Sequence, residues 1–138
     1  MRTRRALVLA LAGYSTVICA QPPGDWKPLT ATDDSWVLYD AKNIGRTVSQ
    51  RKIWIWERFR EPQKDLNFAG QFPLSSLTLR LVRCESEEIA IASVAYYLGS
   101  AMDGKVLGSA MRQESELNWS SAHPATVDGG IIRTACSR

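Results

Sequence analysis

The chain has 138 residues, 45% of them hydrophobic and 22% charged, with a formal charge of +3, one histidine and three cysteines. Arg2, Arg4 and Arg5 account for the whole positive excess, so the remainder is charge-balanced and lacks the clustered basic surplus of a nucleic-acid binder. With a single histidine there are too few nitrogen ligands for a catalytic metal centre.

The N-terminus has the layout of a bacterial secretory signal. Three arginines in Met1–Arg5 precede the apolar run Ala6–Gly13, and Ile18-Cys19-Ala20 precedes a polar, proline-containing stretch. Cleavage is expected after Ala20, so residues 1–20 are assigned to the signal peptide. A lipid anchor at Cys19 is the alternative, but Ile18 and Thr16 stand where a lipoprotein signal wants a small and an aliphatic residue. The apolar run is shorter than the roughly 20 residues that span a bilayer, and no later segment is apolar enough to do so. The mature chain is therefore expected to be exported from the bacterial cytoplasm.

The mature chain, roughly 118 residues, fits one domain. Residues 21–34, with Pro22, Pro23, Pro28 and the Asp33-Asp34 pair, read as a polar lead-in, and residues 35–138 as a single α+β domain. Trp36–Asp40 is a short strand, and Asn43-Ile44-Gly45 is a turn. Lys52–Phe59 alternates with period two: Ile53, Ile55 and Phe59 lie on one face, Trp54, Trp56, Arg58 and Arg60 on the other. Glu61–Pro73 is a loop longer than the usual 4–6 residues, carrying Phe68 and Phe72. Ser75–Cys84 places Leu77, Leu79 and Leu81 opposite Thr78, Arg80, Val82 and Cys84. Glu88–Leu98 and Val106–Met111 are expected to form a hairpin with a tight turn at Asp103-Gly104, and Leu117–Trp119 a last short strand.

The C-terminus changes period. Thr126 is placed to cap a helix, Asp128 suits its first turn, and Val127, Ile131 and Ala135 recur every four residues. Gly129-Gly130 costs about 1 kcal/mol per glycine against alanine in such a helix. In an oxidising envelope Cys84 and Cys136 form the one available disulfide, closing a loop of about 50 residues and contributing on the order of 4 kcal/mol in the chain-entropy model. Two separate buried thiols are the alternative. The expected architecture is an antiparallel sheet of five to six strands with one C-terminal helix disulfide-tethered across a face, close to the small residues Ala90 and Ala92. A small closed barrel is the second choice.

This order of features resembles the surface-adhesin protein E family of Gram-negative bacteria. The resemblance runs from Trp26 through Leu38-Tyr39-Asp40, Ile44-Gly45-Arg46, Ile53-Trp54-Ile55-Trp56, Ser75-Ser76 and Arg83-Cys84-Glu85. It continues through Tyr96-Tyr97, Gly104-Lys105-Val106 and Trp119 to Pro124-Ala125-Thr126 and Ala135-Cys136. It implies a sheet with a disulfide-tethered C-terminal helix, and for the type member a surface lipoprotein that binds host extracellular-matrix and serum proteins. The chain departs from the family in its lipid-attachment signal and at Gly129-Gly130.

Function then rests on surfaces rather than on catalytic groups. His123, beside Pro124, reads as a solvated turn residue with no nucleophile and acid arranged around it. Asp33-Asp34 and Glu87-Glu88 are adjacent carboxylates that strands would send to opposite faces. No enzyme activity, cofactor or metal is expected, and no nucleic-acid partner. On one reading Trp54 and Trp56 are core residues under the helix or a loop while Arg58 and Arg60 reach solvent at the strand end; on the other, the four form a patch for a protein partner, host matrix or envelope. Tryptophans on that face would also suit a glycan or the cell wall. Phe68 and Phe72 are the second candidate patch. A periplasmic assembly accessory is the competing role, and a homodimer is among the states the sequence allows.

Overall fold

The computed structural model describes residues 22–138; the signal segment and Cys19 lie outside the described residues. The elements in chain order are β1 (Trp26–Ala31), β2 (Ser35–Asp40), β3 (Gly45–Arg46), β4 (Arg51–Phe59), β5 (Ser75–Arg83), β6 (Glu88–Tyr97), β7 (Val106–Met111), β8 (Ser120–Ser121) and the helix α1 (Val127–Cys136). All strand pairs are antiparallel, in the order β1-β2-β4-β5-β6-β7, with β3 beside β4 and β8 beside β6.

The sheet therefore has eight strands rather than five to six. Two of the additions, β3 and β8, are two residues long, too short to show alternation, and β8 falls just after the Leu117–Trp119 segment expected in its place. The third is β1, inside the stretch read as lead-in. Its Pro28 argued against a strand, but an edge strand has a free side on which a missing N–H does no harm. The path is open, with β1 and β7 at its two ends, so the sheet does not close into a barrel.

Register sorts the side chains onto two faces. Val37, Tyr39, Ile53, Ile55, Val82 and Ile89 share one face and are buried there against Ile131, Ile132 and Ala135 of α1. The helix thus covers the isoleucine face of β4, and the tryptophans point the other way. Nor does it rest on Ala90 and Ala92. Ala90 pairs with Leu81 on the far face, and a register shift at Ala92 makes β6 change face, so that Ile89, Ile91, Val94 and Tyr96 fall on the helix side. Uninterrupted alternation cannot anticipate that bulge.

Helix α1 is held at both ends. Cys84 and Cys136 form the expected disulfide, with Cα atoms 5.7 Å apart across 52 positions of sequence. Near its start, Asp128 accepts a hydrogen bond at 3.2 Å from Arg80, whose side chain is largely buried beneath the helix. Thr126 caps the first turn, its Oγ1 accepting from the Gly129 N–H at 3.2 Å.

The two glycines have a packing role. A Cβ on Gly129 would lie 3.0 Å from the Pro124 carbonyl carbon and closer still to the His123 carbonyl oxygen, because the preceding turn folds back against the helix. On Gly130 it would meet only the ends of flexible side chains, Leu29 at 3.2 Å and Arg133 at 3.8 Å. Gly129→Ala should therefore destabilise the protein by about 1–3 kcal/mol, despite alanine's helix preference, because backbone must move. Gly130→Ala should cost clearly less. Urea denaturation of the oxidised proteins checks this; a stabilised Gly129→Ala variant would contradict it.

Candidate functional site

On the face away from α1, the pairing of β2 with β4 sets Trp36 opposite Arg58 and Leu38 opposite Trp56. The chain leaves β4 at Arg60, whose backbone N–H donates to the Asp34 carbonyl and whose Nε donates to the Thr32 carbonyl at 3.2 Å. These bonds hold its guanidinium carbon 3.9 Å from the centre of the Trp36 ring. Arg58 lies 5.8 Å from the Trp36 ring centre and 5.4 Å from that of Trp56. Trp56 in turn meets Trp26 edge-on, with centroids 5.6 Å apart. The result is a row of alternating cations and rings: Arg60, Trp36, Arg58, Trp56, Trp26.

Each cation–ring contact contributes about 0.5–1 kcal/mol where exposed and more where water is excluded. The row passes from solvent into the molecule. Trp36 is 42% exposed while Trp56 is 4% exposed. Trp56 donates its indole N–H to the Ser100 carbonyl at 3.2 Å. The turn carrying Ser100 is fixed by Ser75, whose hydroxyl donates to the Gly99 carbonyl and accepts from the Met102 N–H. Arg58 is half-buried, and its Nε is buried with no protein partner among the described residues.

Trp26 reaches the row because the start of β1 is clasped to the end of β2. The buried Asp40 carboxylate accepts from the backbone N–H groups of Asp25 and Lys42, each at 3.2 Å, and from the Asn43 side chain at 2.6 Å. Burial by itself pushes this carboxyl up, but the hydrogen bonds from Asn43, Asp25 and Lys42 together outweigh it and hold the pKa below its ordinary value.

The structure divides the residues singled out from the sequence. Trp56, Arg58 and Arg60 join the row, Trp56 as core and Arg60 at the surface. Trp54 is half-buried on the same face and stands apart, opposite Leu79, in a groove of about 510 Å³ that Lys52, Leu81, Met111 and Leu117 also line. Phe68 turns onto the helix side of the sheet, 5.5 Å from Tyr96 and above Gly108, where a Cβ would lie 2.5 Å from its ring. Phe72 is half-buried in the same loop. Trp36 and Trp26 were missed, because only strand pairing reveals that they flank Arg58 and Trp56.

Arg60 also borders an open depression with Asp33, Asp34, Glu61, Lys64 and Asp65, so the exposed end of the row is cationic and its rim is acidic on balance, with four carboxylates beside one lysine. His123 is an exposed turn residue whose Nδ1 accepts from the Ala125 N–H at 3.1 Å. Among the described residues no cluster of three or more His, Cys, Asp or Glu side chains is placed to hold a metal ion.

A family model described as surface-adhesin protein E matches residues 26–137. Neither a curated protein nor a solved structure matches the chain.

If the row runs from core to surface as described, Trp56→Ala should lose about 3–5 kcal/mol of stability, the range for a buried large aromatic. Trp54→Ala should lose less than half as much. Chemical denaturation distinguishes the two; equal losses would place Trp54 in the core as well.

Proposed function

This chain belongs to the surface-adhesin protein E family, and on that premise we propose that it is a non-enzymatic, exported envelope module that binds a host extracellular-matrix or serum protein. The face it uses is the surface end of the cation–ring row, Trp36, Arg58 and Arg60. The observation that carries this reading is a tryptophan 42% exposed and flanked by two arginines, Trp36 and Arg58 set by paired strands and Arg60 by its bonds to the Asp34 and Thr32 carbonyls. Tryptophan and arginine are the side chains most enriched at binding hot spots. Here they are already ordered, so less rotamer entropy is lost when a partner docks.

The charges narrow the partner's chemistry. Each guanidinium stacked on a ring keeps in-plane N–H groups for a carboxylate or carbonyl. The acidic residues around Arg60 ask for basic groups farther out. A protein surface supplies both signs at that spacing, whereas a uniformly anionic polymer would meet Asp33, Asp34 and Glu61 unfavourably.

Among the described residues no helix is long and apolar enough to cross a membrane.

The test is a binding titration of the oxidised chain against a panel of immobilised extracellular-matrix and serum proteins. Arg60→Ala and Trp36→Ala should each weaken the interaction found by about tenfold or more, as hot-spot residues do, with the unfolding midpoint little changed. Undiminished binding by both variants, or no binding across the panel, would remove this assignment.

A further inference from the structure

The two edges of the sheet are built differently. The β1 edge carries Lys27, Pro28 and a register shift between Pro28 and Thr30, all of which discourage another strand from pairing there. The β7 edge reads Val-Leu-Gly-Ser-Ala-Met, with neither charge nor proline, and among the described residues pairs only with β6. Among the described residues no backbone hydrogen bond from the Glu61–Pro73 loop reaches β7; Phe68 lies over its face at Gly108 rather than along its edge. Exposed apolar side chains lie at both ends of this edge: Leu98 and Val106 at one, Ile91 and Met111 at the other, Met111 86% exposed.

Two basic residues bracket this strand. Lys105 precedes it, bonded only to the uncharged Gln71 side chain at 3.2 Å, and Arg112 follows it. Neither takes part in an ion pair among the described residues. The nearby Asp103 and Glu116 carboxylates accept from backbone N–H groups of their own turns, Ala101 and Gln113. Glu114 lines the Trp54 groove together with Arg112, without forming an ion pair with it.

We propose that β7 is a docking edge for an extended peptide segment of a partner protein, added as a further strand, with an apolar centre and acidic residues at its ends. The backbone of β7 supplies the hydrogen bonds. Alternate peptide side chains fall toward the groove of Met111, Leu117 and Trp54 on one side. On the other they fall toward a hollow of about 210 Å³ lined by Ile91, Val94, Ala110 and Arg112. A second copy of the chain suits this edge less well. Two β7 strands paired antiparallel over all six residues set Lys105 of each copy directly opposite Arg112 of the other, and like charges so placed repel. An acid-flanked strand turns both repulsions into attractions. The edge lies across the sheet from the Trp36–Arg60 face on β2 and β4, so the two surfaces are independent of each other.

Fluorescence anisotropy with the oxidised chain tests the idea. The probe is a labelled octapeptide of alternating valine and threonine with aspartate at each end. One comparison peptide has lysine at each end, and another has aspartate ends and N-methylated central amides. The aspartate peptide should bind about tenfold or more tightly than either. The double variant Lys105→Glu/Arg112→Glu, altered only at exposed side chains, should reverse the preference between aspartate and lysine ends. Equal binding of all three peptides, no binding of any, or an unchanged preference in the double variant would overturn the proposal. So would a dimer in analytical ultracentrifugation that Ala110→Lys dissociates, since the edge would then belong to a second copy.

Discussion

Everything in this molecule depends on covering one face of its sheet with a helix of ten residues. A helix that short is marginal in water, and two of its residues are glycines. Three contacts make up the difference: Ile131, Ile132 and Ala135 buried against the isoleucine face, Arg80 bonded to Asp128 near the start, and Cys84–Cys136 at the end. The disulfide alone contributes on the order of 4 kcal/mol in the chain-entropy model for a loop of 52 residues. Because the helix takes the isoleucine side of β4, the tryptophan side is left for the loop around Ser100, for the neighbouring rings and for solvent. The choice of face at β4 therefore decides which residues are available to a partner.

The plainest features of this fold were legible in the sequence for simple reasons. Period two along Lys52–Phe59 and Ser75–Cys84, Thr126 as cap and two cysteines in an exported chain each act locally or have a single solution; the tight turn expected at Asp103-Gly104 is instead the longer connection 98–105, closed by the Leu98 N–H to the Lys105 carbonyl. Three features were not legible, and a fourth only in part. The strand at Trp26–Ala31 is hidden by Pro28, whose effect depends on whether the strand is an edge. The change of face at Ala92 comes from a bulge that appears only when β6 is laid against β5. Gly129 looks like a helix breaker until the turn at His123-Pro124 is seen pressing on it. The candidate site was half visible: Trp56, Arg58 and Arg60 stand close together in sequence, but Trp36 and Trp26 come from other strands and join them only through register and the Asp40 clasp.

The site and the fold are two results of one arrangement. An antiparallel sheet with a helix on one side must leave its other side and its two edges to be dealt with separately. Here the β1 edge is blocked, the middle of the far face is filled by Trp56 and its neighbours, and two regions remain open to contact. One is the cationic, aromatic corner at Trp36, Arg58 and Arg60. The other is the uncharged strand β7, with Met111 and the Trp54 groove beside it. Both offer side chains or backbone held rigid by paired strands, as a binding module requires.

All of this bears on host contact only if the domain faces outward from the cell. Brief trypsin treatment of intact cells, with mass spectrometry of the released peptides and a periplasmic protein as leakage control, tests that most directly. Arg60 and Lys64 are exposed cleavage points at the start of the Glu61–Pro73 loop. An outward-facing module should release peptides cut at those residues while the periplasmic marker stays intact. Cleavage only after the outer membrane is opened would place the domain in the periplasm and contradict the binding of host proteins.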